Sequence, residues 1–127
     1  TIQAKEEMDH AMLFYNYLHK QNEHVELGAI GKPDKVFTNY LEPVEAGLAH
    51  EKYVTSLIRN INMVASEYND KETMRILKWF LDEQEEEEEN AGGLIAKTEF
   101  ALENPNGIPV LNNELKKRKY KAPTLKL

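Results

Sequence analysis

The sequence contains no cysteine, and no apolar run in it approaches the length of a membrane-spanning helix. The absence of cysteine excludes disulfide bonds, thiolate zinc sites and cysteine nucleophiles. The absence of long apolar runs and of a recognisable signal peptide argues against a membrane protein and against secretion. From these absences we expect a cytoplasmic protein.

Positive charge is also in the minority, since 16 Lys and Arg residues face 22 Asp and Glu residues and the net charge is −6. An acidic chain of this kind does not present a phosphate-binding surface, so nucleic acid is not an expected partner, whereas cations are. The length of 127 residues predicts one domain, over residues 1–127.

Apolar residues recur at three- and four-residue steps, and no strand pattern competes with them. In the first segment the stripe is Ala4, Ala11, Phe14 and Leu18. Thr1 and Asp70 are candidate N-caps, and Asn112 or Asn113 is a candidate cap for the last helix. The sequence therefore predicts an all-α fold with helices over about 2–21, 41–68, 70–102 and 113–119, and a long connection between the first two.

Acidic and imidazole side chains lie within these apolar stripes. Glu7 and His10 are three residues apart, so on a helix both leave the same face about one turn apart. Glu51 falls on the apolar side of the second predicted helix, and Glu85–Glu89 form an acidic run in the third. Carboxylates on apolar faces need a compensating cation, and carboxylate oxygen with imidazole nitrogen suits iron. The pattern predicts a polynuclear iron-type site.

Each feature also has a simpler interpretation. Glu6 and Glu7 could favour the positive end of the helix dipole, and His10 could be an ordinary core histidine. The run Glu85–Glu89 passes around the whole helix, so most of it is expected to be a solvated face, with only the core-facing members available as ligands. The combination of the three segments is more specific than any one of them.

Three motifs carry a family resemblance: Glu6–Ala11, Ala49–Lys52 and Lys78–Glu87. Their order, their spacing and the ending from Asn104 to Tyr120 resemble the bacterial non-haem ferritins over nearly the whole chain. That resemblance implies a ferritin-like four-helix bundle with a long crossover and a short C-terminal helix. The family's first long helix has no counterpart in this sequence, so we expect the chain to begin inside the family's second helix.

The resemblance implies iron storage: Fe(II) is oxidised by dioxygen or peroxide at a di-iron centre, and Fe(III) mineral is kept in a homo-oligomeric cage of two dozen subunits. One iron would be held by Glu7 and His10, and its neighbour by Glu7, Glu51 and Glu87. Gln84 would line this pair. A third site would be formed by Glu6, Glu83, Glu86 and Glu87.

One detail separates the chain from the related bacterioferritins, and two alternative functions stay open. Gln84 and Glu87 stand where bacterioferritins carry a second Glu-x-x-His, so a bridging haem on Met8 is not expected. Without the ligand of the absent helix, the ferroxidase activity itself is open, and the chain could be a structural or assembly module without catalysis. A carboxylate-bridged oxygenase or peroxide scavenger of the same bundle type is the other alternative, although no excess of apolar pocket residues favours it.

Overall fold

The protein, described by a computed structural model of residues 1–127, consists of four α-helices and no β-strand. Helix α1 spans Ile2–Lys20, α2 spans Leu41–Glu67, α3 spans Lys71–Glu103 and α4 spans Gly107–Leu115. The all-α prediction is confirmed, and the first three helices lie within one residue of their predicted bounds. None of the helices is both long and apolar enough to cross a membrane.

Each of the three long helices has a side-chain cap at its N-terminus. Thr1 Oγ1 accepts a hydrogen bond from the Ala4 amide, and Asp70 Oδ1 accepts one from the Thr73 amide at 3.0 Å, as the sequence predicted. The pKa of Asp70 is lowered, mainly because the Thr73 hydroxyl also donates to its carboxylate. Asn39 caps α2 by accepting from the amides of Leu41 and Glu42.

Asparagines in the left-handed conformation end α1 and α2. Asn22 has φ 61° and Asn69 has φ 53°, a region that asparagine tolerates better than most residues. In each case the next amide reaches back five residues, from Glu23 to the Leu18 carbonyl and from Asp70 to the Ala65 carbonyl. These are Schellman caps, which satisfy carbonyl groups that the helix leaves unpaired.

The last helix lies earlier in the chain than predicted. It was expected over 113–119 behind a cap at Asn112 or Asn113, but α4 begins at Gly107 and ends at Leu115, so both asparagines lie inside it. Asn106 has φ 60° and its carbonyl accepts from the Val110 amide, which starts the helix directly after the turn. Pro109 is tolerated because amides in the first turn have no partner within the helix.

The chain divides into two compact units, residues 1–35 with 116–127, and residues 36–115. The first contains α1, the connection that follows it and the C-terminal tail. The second contains α2, α3 and α4, with the side chains of Ile58, Ile76, Leu77 and Phe80 at most 4% exposed. The expectation of a single domain stays a prediction.

On α2 the predicted apolar side agrees with the structure, since Glu51 is half-buried there, whereas the packed face of α1 differs from the predicted stripe. On α1 only Tyr17 is buried. The less exposed face of this helix is rotated about the helix axis by about one residue position from the predicted stripe. The prediction relied on alanines, which contribute little apolar area, while Leu13 and Tyr17 contribute more. The exposed members of the predicted stripe are Ala4, Glu7, Ala11 and Leu18.

Candidate metal centre

Glu7 and His10 lie together on α1, as their spacing predicted. His10 Nδ1 is 3.8 Å from Glu7 Oε2, and the His10 side chain is 13% exposed against 49% for Glu7. Gln3 Nε2 donates to the other oxygen of Glu7 at 2.9 Å. One helix therefore offers an oxygen and a nitrogen donor side by side, with the carboxylate reachable from solvent.

Glu6 has a cationic partner from the C-terminal tail. Arg118 Nη2 donates to Glu6 Oε2 at 2.5 Å, and Arg118 Nη1 donates to Gln3 Oε1 at 2.7 Å. The Glu6 side chain is 12% exposed, so its charge is largely removed from water and is compensated by the guanidinium. The predicted third-site ligand Glu6 is thus held by an arginine.

Tyr120 forms a second contact between the tail and α1. Its hydroxyl donates to Asp9 Oδ2 at 2.6 Å, and the Lys5 ammonium lies 3.4 Å from the centre of its ring. The hydrogen bond to Asp9 raises the pKa of Tyr120, because ionisation would remove the donor and place a phenolate beside a carboxylate. Together Arg118 and Tyr120 attach the tail to one face of α1.

In the second unit the structure brings Glu51 and Gln84 together. Gln84, 4% exposed on α3, donates through Nε2 to Oε2 of Glu51 and to the Glu51 backbone carbonyl on α2, each at 3.2 Å. Both residues belong to the predicted site. Their contact crosses between two helices, and it fixes one oxygen of a candidate ligand.

Thr55 and Glu88 extend this contact into a buried network. Thr55 lies one turn after Glu51 and is 5% exposed. Its hydroxyl is 2.6 Å from Glu88 Oε1 and 3.3 Å from Gln84 Nε2. The sequence did not predict Thr55 as a site residue, because a threonine among apolar residues of a helix usually only packs in the core. Its one-turn spacing from Glu51 was the available signal.

The remaining predicted ligands lie on α3 with graded exposure. Glu87 is buried at 9% exposure, Glu83 is half-buried and Glu86 is exposed. No group of three or more histidine or acidic side chains converges within reach of one ion. The assembly of Glu7 and His10 with Glu51, Gln84 and Glu87 around shared irons therefore stays a prediction.

The donor set nevertheless fits iron. Carboxylates and an imidazole are suitable ligands for Fe(II) and for Fe(III), and no soft thiolate competes with them. A buried carboxylate such as Glu87 also gains from a nearby cation, because burial penalises its charge. The donor types present are therefore compatible with iron.

Comparisons with known proteins identify the family to which the chain is similar. A family model described as a ferritin-like domain matches residues 1–101. The bacterial non-heme ferritin of Staphylococcus haemolyticus is 42% identical over 86 residues, which are 68% of this chain and 52% of that protein. The bacterial non-heme ferritin of Campylobacter jejuni is 31% identical over 113 residues, covering 89% of this chain and 68% of that protein.

Solved structures show the same fold. A closed form of Archaeoglobus fulgidus ferritin, engineered by site-directed mutagenesis, matches with a TM-score of 0.90 and 28% identity over 94% of this chain and 73% of that one. The open-pore ferritin of the same archaeon matches with a TM-score of 0.89 and 29% identity over 93% of this chain. The predicted ferritin-like fold is confirmed. The chain spans about half the length of its staphylococcal relatives.

Proposed function

This chain belongs to the ferritin-like family, and we propose that it binds Fe(II), promotes its oxidation and stores the Fe(III) product. The observation that carries the proposal is the contact of Gln84 with Glu51, which joins two predicted site residues across α2 and α3. Glu7 beside His10 on α1 supplies the second half of the donor set.

The proposed chemistry requires two irons held at once. Each Fe(II) gives one electron, so two ions reduce dioxygen to hydrogen peroxide, or peroxide to water. Oxygen and nitrogen ligands favour this reaction because they bind the Fe(III) product more tightly than Fe(II). Glu7 would be shared by both irons, with His10 completing one site and Glu51 and Glu87 completing the other.

Other acidic residues would receive the product. In this proposal Glu6, Glu83 and Glu86, with Glu87, form a third site through which oxidised iron leaves the pair. Glu86 is exposed and Glu83 is half-buried, which suits a path toward solvent. An iron that binds to Glu6 would have to displace the Arg118 guanidinium from its carboxylate.

Storage needs an enclosing assembly. We propose that the chain functions in a homo-oligomeric cage in the cytoplasm, as the family resemblance implies. Ferritins of known structure with TM-scores near 0.90 support the comparison at the level of the fold.

Fe(II) oxidation by matched variants tests the proposal. Glu51→Gln removes a predicted ligand charge, and Glu45→Gln makes the same change at an exposed position of the same helix. We expect Glu51→Gln and Glu7→Ala to slow the appearance of Fe(III) absorbance at least tenfold, with Glu45→Gln unchanged. Anaerobic Fe(II) titration of the parent should show binding that both ligand variants weaken.

The same experiment separates the alternatives. Iron binding without oxidation, or no binding at all, would favour the structural module. Equal oxidation by the parent and by Glu51→Gln and Glu7→Ala would remove the site assignment.

A further inference from the structure

The second unit contains a polar network of which the proposed function uses only the contact between Gln84 and Glu51. Thr55 and Gln84 are 5% and 4% exposed, yet both side chains are polar, and no buried side-chain nitrogen or oxygen in the protein lacks a partner. Buried polar groups persist where every donor and acceptor is satisfied. The pattern of donors and acceptors in this network therefore determines how each side chain is oriented.

The Thr55 hydroxyl has one proton and two acceptors within reach. Glu88 Oε1 lies at 2.6 Å and the Glu51 carbonyl at 3.0 Å. A carboxylate at the shorter distance is the stronger acceptor, so the proton is directed to Glu88. The hydroxyl oxygen then presents a lone pair to Gln84 Nε2, 3.3 Å away.

This arrangement determines which way the Gln84 amide faces. Its NH₂ group has two protons for Thr55 Oγ1 and for the oxygens of Glu51. Rotating the amide by half a turn would set its carbonyl oxygen against Thr55 Oγ1, whose proton is directed to Glu88, and against Glu51 Oε2 and the Glu51 carbonyl, which are acceptors. The NH₂ group therefore stays on Glu51, where it occupies Oε2 and leaves Oε1 for another partner.

We propose that Thr55 is a positioning residue for metal binding: anchored by Glu88, it orients the Gln84 amide, and that amide holds Glu51 with Oε1 available to the metal ion. The proposal rests on the proposed function, since it takes Glu51 to be a ligand. Residues that orient ligands commonly contribute a factor of about ten or more to metal affinity. Thr55 and Glu88 act through Gln84 and need not touch the ion.

Redox-inert ions provide a readout that does not depend on turnover. We would titrate the full chain with Zn(II) by calorimetry and with Co(II) by visible absorption, whose bands report the ligand geometry. Thr55→Val keeps the shape of the side chain and removes the hydroxyl, whereas Thr55→Ser keeps the hydroxyl. Glu51→Gln identifies the part of the signal that depends on Glu51.

A matched control exists on α3. Thr98 is 3% exposed, and its hydroxyl donates to the Leu94 carbonyl at 2.7 Å. Thr98→Val removes a buried hydroxyl of the same kind without touching Glu51, Gln84 or Glu88. Any loss of affinity that reflects general destabilisation should appear in both valine variants.

We expect Thr55→Val to weaken the Glu51-dependent site about tenfold and to change the Co(II) bands. Thr55→Ser should stay within about twofold of the parent, and Thr98→Val should bind as the parent does. Glu88→Gln, which keeps an acceptor but loses the charge, should produce a smaller loss of the same sign. This variant also tests the proposal if Thr55→Val does not fold.

Two results would overturn the proposal, and they differ. If Glu51→Gln binds Zn(II) as tightly as the parent, or the parent binds none, the ligand assignment fails and the role of Thr55 fails with it. If Glu51→Gln weakens binding while Thr55→Val and Glu88→Gln do not, the proposed function stands and Thr55 has no positioning role.

Discussion

Gly107 occupies the one glycine position in the chain where a side chain would meet its neighbours. A Cβ added there would lie 2.1 Å from the Ala101 carbonyl oxygen and 2.7 Å from the Ala101 Cα. These are backbone atoms of the last turn of α3, so they cannot move aside as a flexible side chain would. The close turn from α3 into α4 depends on the missing Cβ at this residue.

We predict that Gly107→Ala lowers the free energy of unfolding by about 1–3 kcal/mol, the usual cost of forcing extra atoms into a packed site. Gly92→Ala is the matched control, because Gly92 lies inside α3 and a Cβ added to it would have nothing within 4 Å. There alanine should raise stability by about 0.5–1 kcal/mol through helix propensity. Urea denaturation measures both, and equal shifts would contradict the packing argument.

The residues of the candidate metal centre differ in how far the sequence alone could predict them. Glu51 was a candidate because a charged side chain on an apolar face needs a partner, whereas Gln84 entered the predicted site through the family resemblance. The structure places the two side chains in contact, and their role as a metal site stays a prediction. Thr55 was missed: its one-turn spacing from Glu51 gives its hydroxyl no role until the packing of α2 on α3 places Glu88 2.6 Å away. The relation between Glu6 and Arg118 is also invisible, because 112 residues separate the two.

Elements were predictable where their ends carry local signals. Thr1 and Asp70 are caps that need only the next few residues, and their helices begin where expected. The last helix was misplaced because Asn112 and Asn113 imitate a cap, while the true start depends on the positive φ of Asn106. Propensity alone does not choose between two such asparagine-rich starts.

The C-terminal tail is an element without regular structure that side chains attach to α1. Arg118 contacts Glu6 and Gln3, and Tyr120 contacts Asp9 and Lys5. The Arg118 side chain is 42% exposed, so solvent screens its ion pair and the contribution of the pair is about 1 kcal/mol at most. A loss of that size is enough to raise the detached population of the tail.

We predict that Arg118→Ala makes the tail about fivefold more sensitive to trypsin, the factor that corresponds to about 1 kcal/mol. Lys117→Ala is the control, because it also removes one cleavage site but changes an exposed neighbour. Mass spectrometry of timed digests would locate cleavage at the remaining lysines of the tail. Identical cleavage rates in the two variants would mean that Arg118 does not hold the tail.

At the scale of the whole molecule, the connection between α1 and α2 presents large apolar side chains to solvent. Leu27 is 84% exposed and Ile30 is 97% exposed, in a segment without regular secondary structure. Such exposure is costly for an isolated chain, since covering one leucine or isoleucine is worth about 1.5–3 kcal/mol. Contiguous exposed apolar patches mark surfaces that bind a partner, so the contribution of these side chains to self-association can be tested.

A second copy of the chain is the partner that the proposed cage requires, so we predict that this connection contributes to self-association. Ile30→Asp should shift the protein toward smaller species in sedimentation velocity, because the new carboxylate would have to be desolvated in the contact. Ala29→Asp is the matched control: it introduces the same charge one residue away and removes little apolar area. If the parent sediments as a stable 14.7 kDa monomer, self-association through any surface is wrong. If both variants dissociate equally, the added charge rather than the lost apolar side chain is responsible, and the role assigned to Ile30 is wrong.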